Sequence, residues 1–299
     1  TDIELPNLQR LGVDLRLDAM VSLERLSLPE LARVGHGISV TDNDALQDLS
    51  MPALAELGFA LDVSENHALS EFQLDALETI VDNLRIAENP LLESFRFAML
   101  DSVGGNLDIQ DNHIMPKLGA SFLPALIEIG GNLRIHRNPE IETVVFATLR
   151  RVVGDVGVGG GYFLEDNPKL ESLLFTELVR IETSLYVENN SALLEARFPA
   201  LGTVGKDMTI GGCLTGAYAS GGIYSQEDYR FDNSGELTCA HGTGNDLLEW
   251  LDLSALTDIG EYCRVSDNLV MPQCYAEAVE GQIGKSCNCY GNHGTSSCM

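Results

Sequence analysis

A period of 23 residues constrains this chain more than any other feature. Leu74 to Arg96, LDALETIVDNLRIAENPLLESFR, is one unit of it, and the same phase returns at Leu5, Leu28, Met51, Leu74, Phe97, Leu123, Phe146, Phe175 and Phe198. The successive steps are 23, 23, 23, 23, 26, 23, 29 and 23 residues, and a tenth copy opens at Leu253. So short a unit cannot bury its own leucines. It becomes stable only when stacked on copies of itself, which makes the chain a solenoid.

The apolar positions of the reference unit are Leu74, Leu77, Ile80, Leu84, Ile86, Leu92 and Phe95. Leu84-Arg85-Ile86 and Phe95-Arg96-Phe97 alternate with the two-residue period of a strand, not with that of a helix. The expectation is an all-β fold, a right-handed parallel β-helix or leucine-rich solenoid of about ten 23-residue coils, each with at least two short strands. One polar residue also recurs. Asn43, Asn66, Asn89, Asn112, Asn138, Asn167, Asn190 and Asn268 hold one turn position, and the insertions respect it. Asn tolerates left-handed backbone and bonds turn amides that lack a ladder partner, so the column reads as a buried structural ladder.

The outward strand positions Ser39, Asp62, Arg85, Asp108 and Arg134 give alternating charge, the pattern of a solvated face. Departures from the repeat mark where function is expected, because extra residues leave the stack as loops. Three extra residues fall around HIMPKLGASF and six around GDVGVGGGYF. The second group leads to Phe163, which with Tyr186 is expected at outward positions on successive coils, an exposed aromatic pair. The largest departure, 214–250, is rich in Gly and aromatics, and its Tyr218, Tyr224, Tyr229, Phe231 and Trp250 are the remaining candidate binding residues. The domain plan is therefore coils over 1–213, an insertion over 214–250, a final coil over 251–274 and a cap over 275–299, with a short helix at Tyr275 to Ile283.

All seven cysteines lie in the last third of the chain. An irregular cap and a long insertion need staples that a repeat core does not, and stable disulfides imply an oxidising compartment. Cys213 is expected to pair with Cys239, and Cys274, Cys287, Cys289 and Cys298 to pair within the tail. Cys263 occupies the inner position of Leu84 and is expected as a buried free thiol. Cys287-x-Cys289 lacks the spacing of a zinc site.

A net charge of −27 argues against nucleic acid and against anionic membrane surfaces. No apolar run reaches membrane-spanning length, and the chain opens on Thr1, so any signal peptide is expected to be gone or never built. His36, His67, His113, His136, His241 and His293 form no metal spacing, and no nucleophile is set beside a base, so no catalytic residue is assigned. No cofactor is called for. Calcium is the one ion the acidic turns Thr41-Asp42-Asn43-Asp44 and Glu165-Asp166-Asn167 could take.

The unit LPALIEIGGNLRIHRNPEIETV from Leu123 resembles the receptor L domain, the leucine-rich β-helical module of receptor ectodomains and fungal cell-wall proteins. The likeness covers roughly Leu5 to Cys274 less the insertion, and the cysteine-rich tail is similar to those of secreted bacterial repeat proteins. It implies a secreted or cell-surface, noncatalytic binding or adhesion scaffold whose partner is a protein or glycan. The alternative is a structural subunit that assembles, through its first coil or another face, into a homo-oligomer or polymer forming an extracellular filament or surface layer. The chain departs from the receptors in having no furin-like cysteine-rich module.

Overall fold

The computed structural model describes residues 1–159, 167–211, 230–231, 237–238, 244–266, 268–289 and 292, with backbone alone at 159, 230, 231, 237, 238, 275 and 276. Each coil contributes to three sides of one parallel β-solenoid. The first side is a ten-stranded sheet of four-residue strands running from Leu15–Asp18 to Cys263–Ser266. The second is a ten-stranded sheet of two-residue strands from Arg10–Leu11 to Asp258–Ile259. The third is split into two five-stranded sheets, Asp2–Glu4 to Ser94–Arg96 and Lys117–Leu118 to Trp250–Asp252. The split falls where the sequence carries its three extra residues. These turn the chain at Gly119 to Phe122 and start the second sheet afresh.

Register follows the repeat. Leu61, Leu84, Leu107 and Leu133 are paired in sequence up the stack, as are Val63, Ile86, Ile109 and Ile135, and all eight are fully buried. Aromatic columns fill the corner beside the third side, with Phe146, Phe175 and Phe198 stacked at 5.1 and 5.2 Å between ring centroids. The expected charge row is present on the first side, where Arg85 lies 3.4 Å from Asp62 and Arg134 lies 3.5 Å from Asp108. At the far end that side is no longer solvated. Thr209 and Arg264, in the same outward register as Tyr186, are buried, and Arg264 Nε donates to Ser266 Oγ at 2.6 Å.

The asparagine column is a hydrogen-bonded ladder. Asn89 Nδ2 donates to the Val63 carbonyl at 2.9 Å, and Asn89 Oδ1 accepts from the Asn66 backbone N–H at 3.1 Å. Asn112 repeats both bonds one coil on, at 3.0 and 3.3 Å. Two members escape the sequence pattern. Asn245 accepts from Asn190 N at 3.2 Å and donates to the Val187 carbonyl at 2.8 Å, and Asn292 does the same for Asn268 and Val265 at 3.2 and 2.8 Å. The ladder therefore continues after residue 244, and Trp250, read from sequence as part of the insertion, is a strand residue of the solenoid.

The left-handed backbone is not at the asparagine. It is at the residue before, where Ala19, Asp42, Glu65, Glu88, Asp111, Arg137 and Asn189 have φ between 54° and 57°. The column side chain bonds the coils together while its neighbour makes the sharp turn. A second polar ladder runs at the corner between the second and first sides. Asn83, Asn106 and Asn132 each accept from the backbone N–H one coil on, at 2.8, 2.8 and 2.7 Å, and Asp155 and Asp207 extend the series. At the same corner backbones approach so closely that a Cβ on Gly58 would collide with the Gly35 carbonyl.

A helix, Gln273–Ile283, crosses the C-terminal end and stops at Gly284 in the left-handed region, φ 65°. Gln282 caps carbonyls of the last coil, reaching Leu253 O at 2.9 Å and Leu256 O at 2.5 Å. The expected free thiol at Cys263 is overturned: Cys263 and Cys287 form a disulfide, with Cα atoms 4.6 Å apart. The cause is a return of the tail to the sheet edge. Asn288 N donates to Cys263 O at 2.9 Å and its carbonyl accepts from Val265 N at 3.1 Å, which brings residue 287 beside residue 263. Cys287 thus leaves the tail pairing assigned to it, whereas Cys274 is disulfide-bonded. Cys289 is half-buried, its carbonyl accepting from Gln273 Nε2 at 2.5 Å. Cys213, Cys239 and Cys298 lie outside the described residues.

Candidate functional site

A solenoid buries its repeated side chains, so binding chemistry must come from outward positions and from turns. The aromatic pair expected on the first side does not form at the predicted register. The strand position opposite Tyr186 is Gly157, because the six extra residues follow the strand Val156–Gly159 instead of preceding it. Tyr186 is itself half-buried. Burial raises its phenol above the ordinary value, against a lowering by the Ser184 hydrogen bond. Phe163, Tyr218, Tyr224 and Tyr229 lie outside the described residues, and Phe231 is described in backbone only, in the antiparallel pair Arg230–Phe231 with Leu237–Thr238.

Two concave regions stand out on the described surface. The first, about 430 Å³, runs along the asparagine turn and is lined by His67, Glu88, Pro90, Asp111, His113 and Arg137. Most of its charges are already matched. Arg137 grips Asp111 through Nε and Nη2 at 2.7 and 2.6 Å, Arg85 holds Glu88 at 2.7 Å, and His67 Nδ1 sits 2.5 Å from Asp44. Such a surface offers little uncompensated charge to a ligand.

The second region, about 470 Å³, lies between the last strand of the third side and the start of the cap helix. Its walls are Trp250, Leu194, Val270 and Pro272, and its rim carries Glu171, Glu195 and Glu249. Trp250 is 59% exposed although it belongs to the sheet. The reason is its place in the strand: Leu251 turns towards the core, which leaves Trp250 on the outer surface in register with Glu195. An indole with one open face, apolar walls and polar edges is the composition of an interaction surface. Trp250 is therefore the one sequence-predicted binding residue that the described structure sets in a cleft. Leu194, Val270 and Pro272 were beyond sequence reasoning, since the coil order that brings them to Trp250 depends on where the insertion ends. The signal was present in Asn245-x-x-Leu248, which copies Asn89-x-x-Leu92.

The proposed calcium turn at Asp42 to Asp44 is engaged otherwise. Asn43 is buried in the ladder, Thr41 Oγ1 donates to Asp18 at 2.8 Å, and Asp44 faces His67. The second turn, at Glu165 and Asp166, lies outside the described residues. Among the described residues no group of three or more His, Cys, Asp or Glu side chains stands close enough to hold a metal ion. No helix among them is long and apolar enough to cross a membrane.

Neither the curated proteins nor the solved structures contain a match to this chain. A family does match, over coils five to eight. Residues 101–198 fit the model of the Receptor L domain, and the same parallel β-solenoid runs through the coils on both sides of that span.

Proposed function

We propose that the chain is an extracellular, noncatalytic binding scaffold, secreted or displayed at a cell surface, whose partner is a protein and whose contact centres on the Trp250 cleft. The family supports a ligand-binding extracellular repeat domain, and the Cys263–Cys287 disulfide suits an oxidising compartment. One observation carries the choice of surface. A large aromatic held 59% exposed in a cleft on a rigid sheet is what binding hot spots are built from, since truncating such an anchor costs about 2 kcal/mol or more. Adhesion, the finer reading of the notion of a scaffold, follows if the partner is itself anchored to a cell or matrix.

The test is a printed panel of secreted proteins and extracellular polysaccharides, probed with labelled protein and with Trp250→Ala. Binding to proteins that falls about thirtyfold or more in the variant supports the reading. Equal signal from both, or signal on polysaccharides alone, sinks it. The competing expectation of self-assembly draws on the first coil, where Leu5 and Val13 are exposed and Ile3, Leu8, Leu11 and Leu15 are only partly buried. Light scattering of the same sample over a concentration series reads it, and a constant monomer mass would dismiss it.

A further inference from the structure

The geometry points to a specific occupant for the Trp250 cleft: we infer that it takes a basic side chain, arginine foremost, presented by a segment of a protein partner. This inference rests on reading the chain as a protein-binding scaffold, and it adds the chemistry of what is bound.

The cleft combines an open indole face with carboxylates that no cation among the described residues neutralises. Glu171, Glu195 and Glu249 come from three successive coils, and they meet because the third side stacks in register. Leu194 N and Glu195 N share the Glu171 carbonyl at 2.8 and 3.2 Å, and Glu249 N donates to Leu194 O at 2.9 Å. Glu195 accepts from Ser172 Oγ at 2.7 Å, which fixes one of its oxygens. Glu171 and Glu249 are exposed, and neither has a cationic partner within 4.0 Å among the described residues. This separates the cleft from the His67–Arg137 groove, where the acids already hold arginines or a histidine.

A cation lying on the indole gains from the ring quadrupole, and a guanidinium can stack there while its fork of N–H donors meets carboxylates at the rim. Lysine supplies the charge without the planar stacking surface, so arginine fits better. One feature opposes a cation. The helix that begins after Pro272 presents a dipole equivalent to about half a positive charge, against three full negative charges on the rim. The carboxylates win that comparison. The cation comes from another molecule: the chain holds only 18 basic residues against 45 acidic ones, Arg150, Arg151 and Arg180 on neighbouring coils are ion-paired, and Arg197, on the strand of Glu195, makes no ion pair with any of the three rim carboxylates. A net charge of −27 also draws a basic segment in from a distance.

Trp250 is the only tryptophan, so its emission reports this cleft alone. The protein is titrated with a glycine-spaced hexa-arginine peptide at about 0.15 M salt, where the screening length is about 8 Å and diffuse attraction is damped. The expected result is a saturable change in emission, weakened about tenfold by the double variant Glu171→Gln/Glu249→Gln and less than about twofold by the distant, charge-matched Glu30→Gln/Glu78→Gln. All four positions are exposed, so the variants keep the fold, which circular dichroism checks. A signal that never saturates, or equal weakening by both double variants, overturns the inference in favour of general electrostatic attraction. If the protein panel still shows Trp250-dependent binding while the arginine peptide fails, the basic occupant is wrong and the scaffold reading stands. If the panel shows no Trp250-dependent binding, the scaffold reading itself is lost.

Discussion

Replacing Asn89 by alanine removes one rung of the turn ladder at the middle of the stack. Four hydrogen bonds involve its side chain: Nδ2 to Val63 O at 2.9 Å and to Asn112 Oδ1 at 3.4 Å, and Oδ1 from Asn66 N at 3.1 Å and from Asn66 Nδ2 at 3.3 Å. Not all are equally missed. Asn66 Nδ2 keeps Val40 O and Ser64 O, and Asn112 Oδ1 keeps the Asn89 backbone N–H. The Asn66 N–H, fully buried, keeps no acceptor. An orphaned buried donor costs about 1–3 kcal/mol, and the lost bond to the Val63 carbonyl about 1 kcal/mol more. The expected loss is therefore about 2–4 kcal/mol. Because a solenoid opens locally before it unfolds throughout, the sensitive assay is amide hydrogen exchange. At about 1.4 kcal/mol per factor of ten, exchange in the coils around Asn66 and Asn89 should quicken about 30- to 1,000-fold, with little change in the last coils. Quickening below about tenfold would refute the reasoning, since the ladder would then be an ornament of the turn and the left-handed residues would be holding it.

Three further outcomes are expected. Cys263→Ala with Cys287→Ala opens a link across 24 residues, and the chain-entropy model puts its loss at about 3 kcal/mol, visible as an earlier first transition in denaturant and as faster exchange of the cap helix. His136 is held neutral by burial, aided by Arg137 and Arg134 and opposed by Asp111, which brings its pKa down to about 4 from the ordinary value near 6.5. The unfolded chain therefore binds more protons between those two values, stability falls as pH drops from about 6.5 towards 4, and His136→Gln should flatten that part of the curve in pH-dependent melting. Ala19 is exposed at φ 56°, so Ala19→Gly relieves a left-handed penalty of about 1 kcal/mol and should leave the first coil equally or more stable, where the same change in a helix or strand would weaken it.

The sequence by itself determined the period, the inward leucine, isoleucine and valine columns and most of the asparagine ladder. A repeated unit that cannot bury its own apolar face has only one way to do so, and every copy restates the constraint. The second polar ladder was harder to see because Asn83, Asn106 and Asn132 give way to Asp14, Asp155 and Asp207, so residue type varies while the acceptor role persists. What only the tertiary structure decided lies where the period is broken. The step between Gly211 and Asn245 moves Trp250 from a loop reading to a strand, and with it the cleft formed with Leu194, Val270 and Pro272. The return of Asn288 to the edge at Cys263 decides the disulfide. In both places the partner is chosen by which coil lies next in space, and an insertion changes that without leaving a count in the local sequence.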